Sequence, residues 1–179
     1  MRFHPVGTRL ALSAKLAIKI IHLFEIHALY KGTVMYYSIQ RPEYEVTRLQ
    51  DKPVIIFRLL GIINRNIAKQ IFEDTLLLMQ NVSGKFFRIN IVSNVESDFE
   101  EMLEVIKRSA RETGGTADPR VQLIFVGTSR WVPLFIDMMA KPEFGAVKIP
   151  QFATLEEALD YVDERLGQST PAHPDAATP

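Results

Sequence analysis

Val121-Gln122-Leu123-Ile124-Phe125-Val126-Gly127-Thr128-Ser129-Arg130-Trp131 is a short apolar run that stops at a glycine and opens into a polar turn. Val121 to Val126 carry no charge and are mostly β-branched or aromatic, too short a run for a typical helix, so they read as a strand buried on both faces. Past Gly127, Ser129 is placed to cap a helix. Pro133 is tolerated in that helix's first turn because the N–H it lacks would find no partner there. Lys141-Pro142 closes the helix near Ala140. A buried strand passing directly into a helix is the repeating unit of an α/β sheet.

The same unit recurs on either side. Upstream, Phe86-Phe87-Arg88-Ile89-Asn90-Ile91-Val92 reads as a strand, and Ser97-Asp98-Phe99-Glu100 as a capping box opening a helix with the apolar stripe Phe99, Leu103, Ile106 and Ala110. Gly114-Gly115 ends that helix, and Asp118-Pro119 turns the chain into the strand at Val121. Earlier, Tyr44-Glu45-Val46-Thr47-Arg48-Leu49 alternates apolar and polar residues. Gln50-Asp51-Lys52-Pro53 then supplies a turn into the apolar Val54-Ile55-Ile56-Phe57-Arg58-Leu59, so these two strands form a hairpin. Ile67, Ile71 and Leu78 with Phe72, Thr75 and Met79 predict a helix over residues 66–80. Downstream, Ala146-Val147-Lys148-Ile149 reads as a short last strand. Thr154-Leu155-Glu156-Glu157 repeats the capping box before Ala158, Leu159, Val162 and Leu166.

The expected fold class is therefore α/β: a single, mostly parallel mixed sheet with flanking helices, in the order β-β-α-β-α-β-α-β-α, with one hairpin strand antiparallel. A chain of 179 residues, 47% apolar and 23% charged, has room for one well-buried core with appendages. We divide it into an N-terminal extension (residues 1–34), a domain (35–167) and a tail (168–179) whose Pro, Ala and Thr have too little to bury and predict disorder.

The net charge is zero, which supplies no electrostatic footprint for nucleic acid. The distribution is uneven, since residues 1–34 hold five basic side chains against the single acid Glu25. Residues 10–30 are rich in Leu, Ile and Ala, with Lys15, Lys19 and His22 on one helical face, which predicts an amphipathic helix. Charges interrupt it too often for a membrane span, and no cleavage site follows it. It would pack on the domain, pair with a second copy in a homodimer, or lie on a membrane surface with its lysines at the headgroups. In a further reading the segment is not native coding sequence: a purine-rich stretch encoding Lys31-Gly32 would serve as a ribosome-binding site ahead of Met35.

There is no cysteine, which excludes disulfides, thiolate metal sites and Cys nucleophiles and suits a reducing cytoplasm, the expected compartment. His4, His22, His27 and His173 all lie outside the segment expected to fold, leaving it no histidine for a metal site or a Ser-His-Asp triad. Glu96, Asp98, Glu100, Glu101 and Glu104 read as a solvated face with acids well placed in a first helical turn. Nothing assembles a nucleophile with a base, so no enzyme, metal or cofactor is expected.

The order of elements, the V-G-x-S-R-W turn at Val126 to Trp131 and the closing Phe152-Ala153-Thr154-Leu155-Glu156-Glu157-Ala158 together resemble the STAS family, in particular its SpoIIAA-like group, related in fold to anti-sigma factor antagonists. The resemblance covers about residues 44–166. It implies a regulatory module that binds a protein partner and is switched by phosphorylation of a hydroxyl at a helix start. Asn90 stands near the place of the family's Asp, and Ser93 or Ser97 near that of its phosphoacceptor; Glu96-Ser97-Asp98-Phe99-Glu100 replaces the usual D-S-S-G. The expected partner-binding edge is Asn90, Ser93, Asn94, Ser97, Thr128, Arg130 and Trp131, with Trp131 either an exposed anchor or packed beneath its helix. Gly127, Thr128, Ser129 and Arg130 form a weaker candidate for holding an anion at a helix start. The alternative function is a small-ligand or lipid carrier at the membrane surface, its ligand among the many phenylalanines.

Overall fold

A computed structural model describes residues 36–80, 82 and 84–168. Six strands form one sheet in chain order: β1 (Tyr36–Gln40), β2 (Tyr44–Leu49), β3 (Val54–Leu59), β4 (Phe86–Val92), β5 (Val121–Val126) and β6 (Gln151–Phe152). β1, β2 and β3 pair antiparallel; β3 to β6 run parallel. The helices are α1 (Arg65–Met79), α2 (Phe99–Ser109), α3 (Trp131–Met139) and α4 (Leu155–Gln168). The predicted α/β class and mixed, mostly parallel sheet are what is found, with β1 as an added strand. Tyr36 and Ile39 are buried in it and Tyr37 and Gln40 exposed, a period too short to stand out in a five-residue strand.

Strand order places the helices. Each parallel crossover moves one strand in the same direction, and connections of one hand then set α1, α2 and α3 on one face. Ile71 of α1, Ile106 of α2, and Val132 and Phe135 of α3 accordingly share a core with Phe57, Phe86 and Phe125. On the other face, Ala158 and Val162 of α4 pack on Phe87, Ile89, Ile91 and Ile124. Every residue of β4 is buried, as expected of a central parallel strand. Among the described residues no helix is long and apolar enough to cross a membrane.

Three expectations are corrected. Residues 146–149 are not a strand: the Val147 amide donates to the Met139 carbonyl at 2.8 Å, holding the segment against the end of α3. Pairing with β5 waits for Gln151 and Phe152. The α2 cap is Asp98, whose carboxylate accepts from the Glu101 amide at 2.8 Å; Ser97 instead donates its hydroxyl to the Ile63 carbonyl at 2.7 Å. That one-residue shift turns the helix, so Met102, Ile106 and Ser109 face inward and Phe99 is left 60% exposed. The second capping box forms as read, with Thr154 accepting from the Glu157 amide and Glu157 from those of Ala153 and Thr154. The segment before residue 36 and the tail beyond Gln168 lie outside the described residues.

Candidate functional site

The carboxyl ends of β3, β4 and β5 give rise to three loops. The first two are zipped together: the Ile63 amide donates to the Glu96 carbonyl at 2.9 Å, the Glu96 amide to that of Gly61 at 3.2 Å, and Ser97 adds its hydroxyl. This rim carries large apolar side chains in water, Leu60, Ile62 (59% exposed) and Phe99. Ser93 and Asn94, next to β4, and Thr128 and Arg130, next to β5, are also exposed, while Ser97 and Ser129 are half-buried.

Two members of the expected edge are not on this surface. Asn90 points into the face covered by α1, α2 and α3, because alternation along β4 sends Phe86, Arg88, Asn90 and Val92 to one side. Trp131 is only 8% exposed, packed beneath the helix it begins, with the Arg130 guanidinium 4.8 Å from its ring centre. Around the turn at Gly127 three amides are engaged locally. Gly127 donates to the Phe152 carbonyl, Val132 to the Ser129 carbonyl, and Trp131 to the Ser129 hydroxyl at 3.5 Å; Pro133 has no N–H to offer. Of the four residues expected to hold an anion, Gly127 has its amide engaged in the sheet, Ser129 is half-buried, and Thr128 and Arg130 stand exposed.

Behind the rim lies what the sequence reading passed over. Arg88, at the middle of β4, is 6% exposed. Its Nε donates to Asn90 Oδ1 at 3.2 Å and one terminal nitrogen to the Gly114 carbonyl at 2.7 Å, and its carbon lies 4.3 Å from the Phe57 ring centre. No carboxylate pairs with it among the described residues. Burial pushes Arg88 down to about 9, still above neutral, so the guanidinium is charged at pH 7. Arg88 lines a largely apolar cavity of about 60 Å³ between the sheet and the helices, together with Asn90, Ser109, Trp131 and several aromatic rings. The Ser109 hydroxyl and Trp131 Nε1, both buried, have no hydrogen-bond partner among the described residues.

The carbonyl that holds Arg88 is positioned by a loop. Asp118 accepts from the Gly114 amide at 3.1 Å and from the backbone and guanidinium of Arg120, at 2.7 Å for the shortest bond. The Arg120 guanidinium, then the two amides, hold the Asp118 carboxyl down at about 2, against an ordinary 3.8. With the folded value depressed, this stabilisation is fully present above about pH 4 and is lost as pH falls toward 2. Asp118→Asn should therefore lower stability by about 1–2 kcal/mol at pH 7, and urea titrations repeated toward pH 2 should find the gap closing.

No protein-family model matches the chain, and no curated protein matches it. Among solved structures it is similar to an uncharacterized protein from the DUF3478 family with a SpoIIAA-like fold, from Shewanella loihica PV-4, at 8% identity and a TM-score of 0.45, over 75% of this chain and 99% of that one.

Sequence reasoning passed over Arg88 and Ser109. A signal for Arg88 was present: two polar residues at i and i+2 in an otherwise apolar strand share one face, and in a central strand both faces are buried.

Proposed function

We propose that this protein is a non-enzymatic, STAS-type regulatory module that binds a partner protein through the rim formed by the loops after β3, β4 and β5. The observation that carries this reading is the exposure of Leu60 and Ile62 on the loop after β3 and of Phe99 at the start of α2, beside loops cross-linked by backbone hydrogen bonds. Three large apolar groups held in water by a braced backbone cost solvation in the free protein and gain it on docking. The polar residues beside them, Ser93, Asn94, Thr128 and Arg130, are the part of the expected partner-binding edge that is accessible. A phospho-switch at this rim falls on Ser93, whose side chain is exposed, in preference to Ser97, whose hydroxyl is engaged by the Ile63 carbonyl.

The test is affinity capture from the native host with wild type and an Ile62→Glu, Phe99→Glu variant. The variant should fold as the wild type does and lose its specific partners at least ~10-fold, because each charge would have to be desolvated on docking. Equal recovery would remove the rim from consideration. The alternative reading, a small-ligand carrier, is favoured by the internal cavity. The membrane contact proposed with it, residues 10–30, lies outside the described residues.

A further inference from the structure

We infer that the cavity between β4 and the three helices that cover it is a binding site for a small organic anion, a carboxylate of roughly six to nine non-hydrogen atoms in all. This goes beyond partner binding at the rim and does not depend on it.

Three independent features converge on one space. The first is Arg88, a buried cation with no carboxylate beside it among the described residues. An unpaired charge in an apolar interior is expensive, and its two hydrogen bonds to neutral oxygens and its stacking on Phe57 offset only part of that cost. The guanidinium has five N–H donors, so those two bonds leave donors for a ligand. The second is the pair of unsatisfied groups, Trp131 Nε1 at 8% residue exposure and the Ser109 hydroxyl at 2%. Buried donors without partners are rare in folded proteins, and here both belong to residues that line the same cavity as Arg88. The third is the remainder of the wall, which includes Phe57, Phe72, Val132 and Phe135 and suits hydrocarbon.

That combination selects among ligands. Water could satisfy the donors but would leave the charge uncompensated. A multivalent inorganic anion would have to shed its hydration against phenylalanine, whereas a carboxylate neutralises Arg88 through a bidentate pair. Its apolar body would then displace water from the aromatic wall. Half-buried Leu59 and Val105 continue the lining toward the surface and mark the way in.

The molecule contains its own reporter, since Trp131 is its one tryptophan. Full-length protein would be titrated with acetate, butyrate and benzoate, and separately with butyramide, benzamide, chloride and inorganic phosphate, following Trp emission and the thermal midpoint. The expected result is a saturable emission change and a rise of a few degrees with butyrate or benzoate, and neither with the amides or inorganic ions. Arg88→Met should remain folded, melt no lower than wild type without ligand, and lose the carboxylate response at least ~10-fold. Ser109→Ala and Trp131→Phe each remove an unpartnered group at little cost to folding; they should weaken the midpoint shift several-fold and serve if Arg88→Met does not fold. If no carboxylate alters emission or midpoint, or if amides or the Arg88→Met protein respond equally, the cavity holds water only and the inference is overturned.

Discussion

Gly127→Ala is expected to lower stability by about 3 kcal/mol or more and to reduce the thermal midpoint by roughly 10 °C. Gly127 has φ of +113°, which L residues rarely adopt, and a methyl group built there would sit 2.5 Å from the Val92 carbonyl oxygen. The obstacle is backbone at the end of the central strand and cannot turn aside. The same residue ties β5 to β6, since its amide donates to the Phe152 carbonyl and its carbonyl accepts from the Gln151 side chain at 2.9 Å. Gly84→Ala is the control, at φ +87° but with open space around the added carbon. It should cost only about 1 kcal/mol, and chemical denaturation of the two variants separates strain from collision. A Gly127→Ala protein as stable as Gly84→Ala would show that the strand ends can move apart.

The second large effect is expected at Asp74. This buried carboxylate of α1 accepts from the Tyr44 hydroxyl at 2.8 Å and from Arg41 through Nε at 3.0 Å and a terminal nitrogen at 3.1 Å, tying the helix to the β1–β2 hairpin. Burial, reinforced by the Asp74 carboxylate, holds the fully buried Tyr44 phenol well above its ordinary range. Asp74→Ala should cost about 3–5 kcal/mol, because it strands the phenol in the core and frees an arginine whose fork was matched to the lost carboxylate. Tyr44→Phe leaves the Asp74–Arg41 pair intact and should cost only about 1 kcal/mol. In the double variant the stranded hydroxyl is gone, so the losses should sum to less than the two singles, a coupling that a double-mutant cycle reads directly. Strict additivity would mean that Tyr44 and Asp74 do not act together.

How far the sequence led depended on whether a signal was local. The strand at Phe86, the turn at Gly127 and the box at Thr154 are written in consecutive residues, and each is found where it was read. The phase of α2 was not local. Ser97 with Glu100 and Asp98 with Glu101 both fit a capping box, and the choice falls to contacts from elsewhere. The Ile63 carbonyl takes the Ser97 hydroxyl, and the Arg65 guanidinium takes the Glu101 carboxylate at 2.7 Å. Val147 to Ile149 misled for a related reason: β-branched residues suit any half-buried extended segment, and here the burial is against α3 with no ladder. The cavity was the least legible part, because Arg88, Ser109 and Trp131 come from three separate elements and only the packed structure gathers them.

Sheet order that repeats chain order also bears on how the molecule is made. No strand has to be threaded between two neighbours already paired, since each newly folded unit meets an open edge left by the one before. Loop closures stay short and the entropy of each is met by the next strand's bonds, as in proteins built from stacked repeats. The route to the native state can thus be one of accretion outward from any early pair, with the two-residue strand β6 needing only its neighbour β5 in place before it can dock.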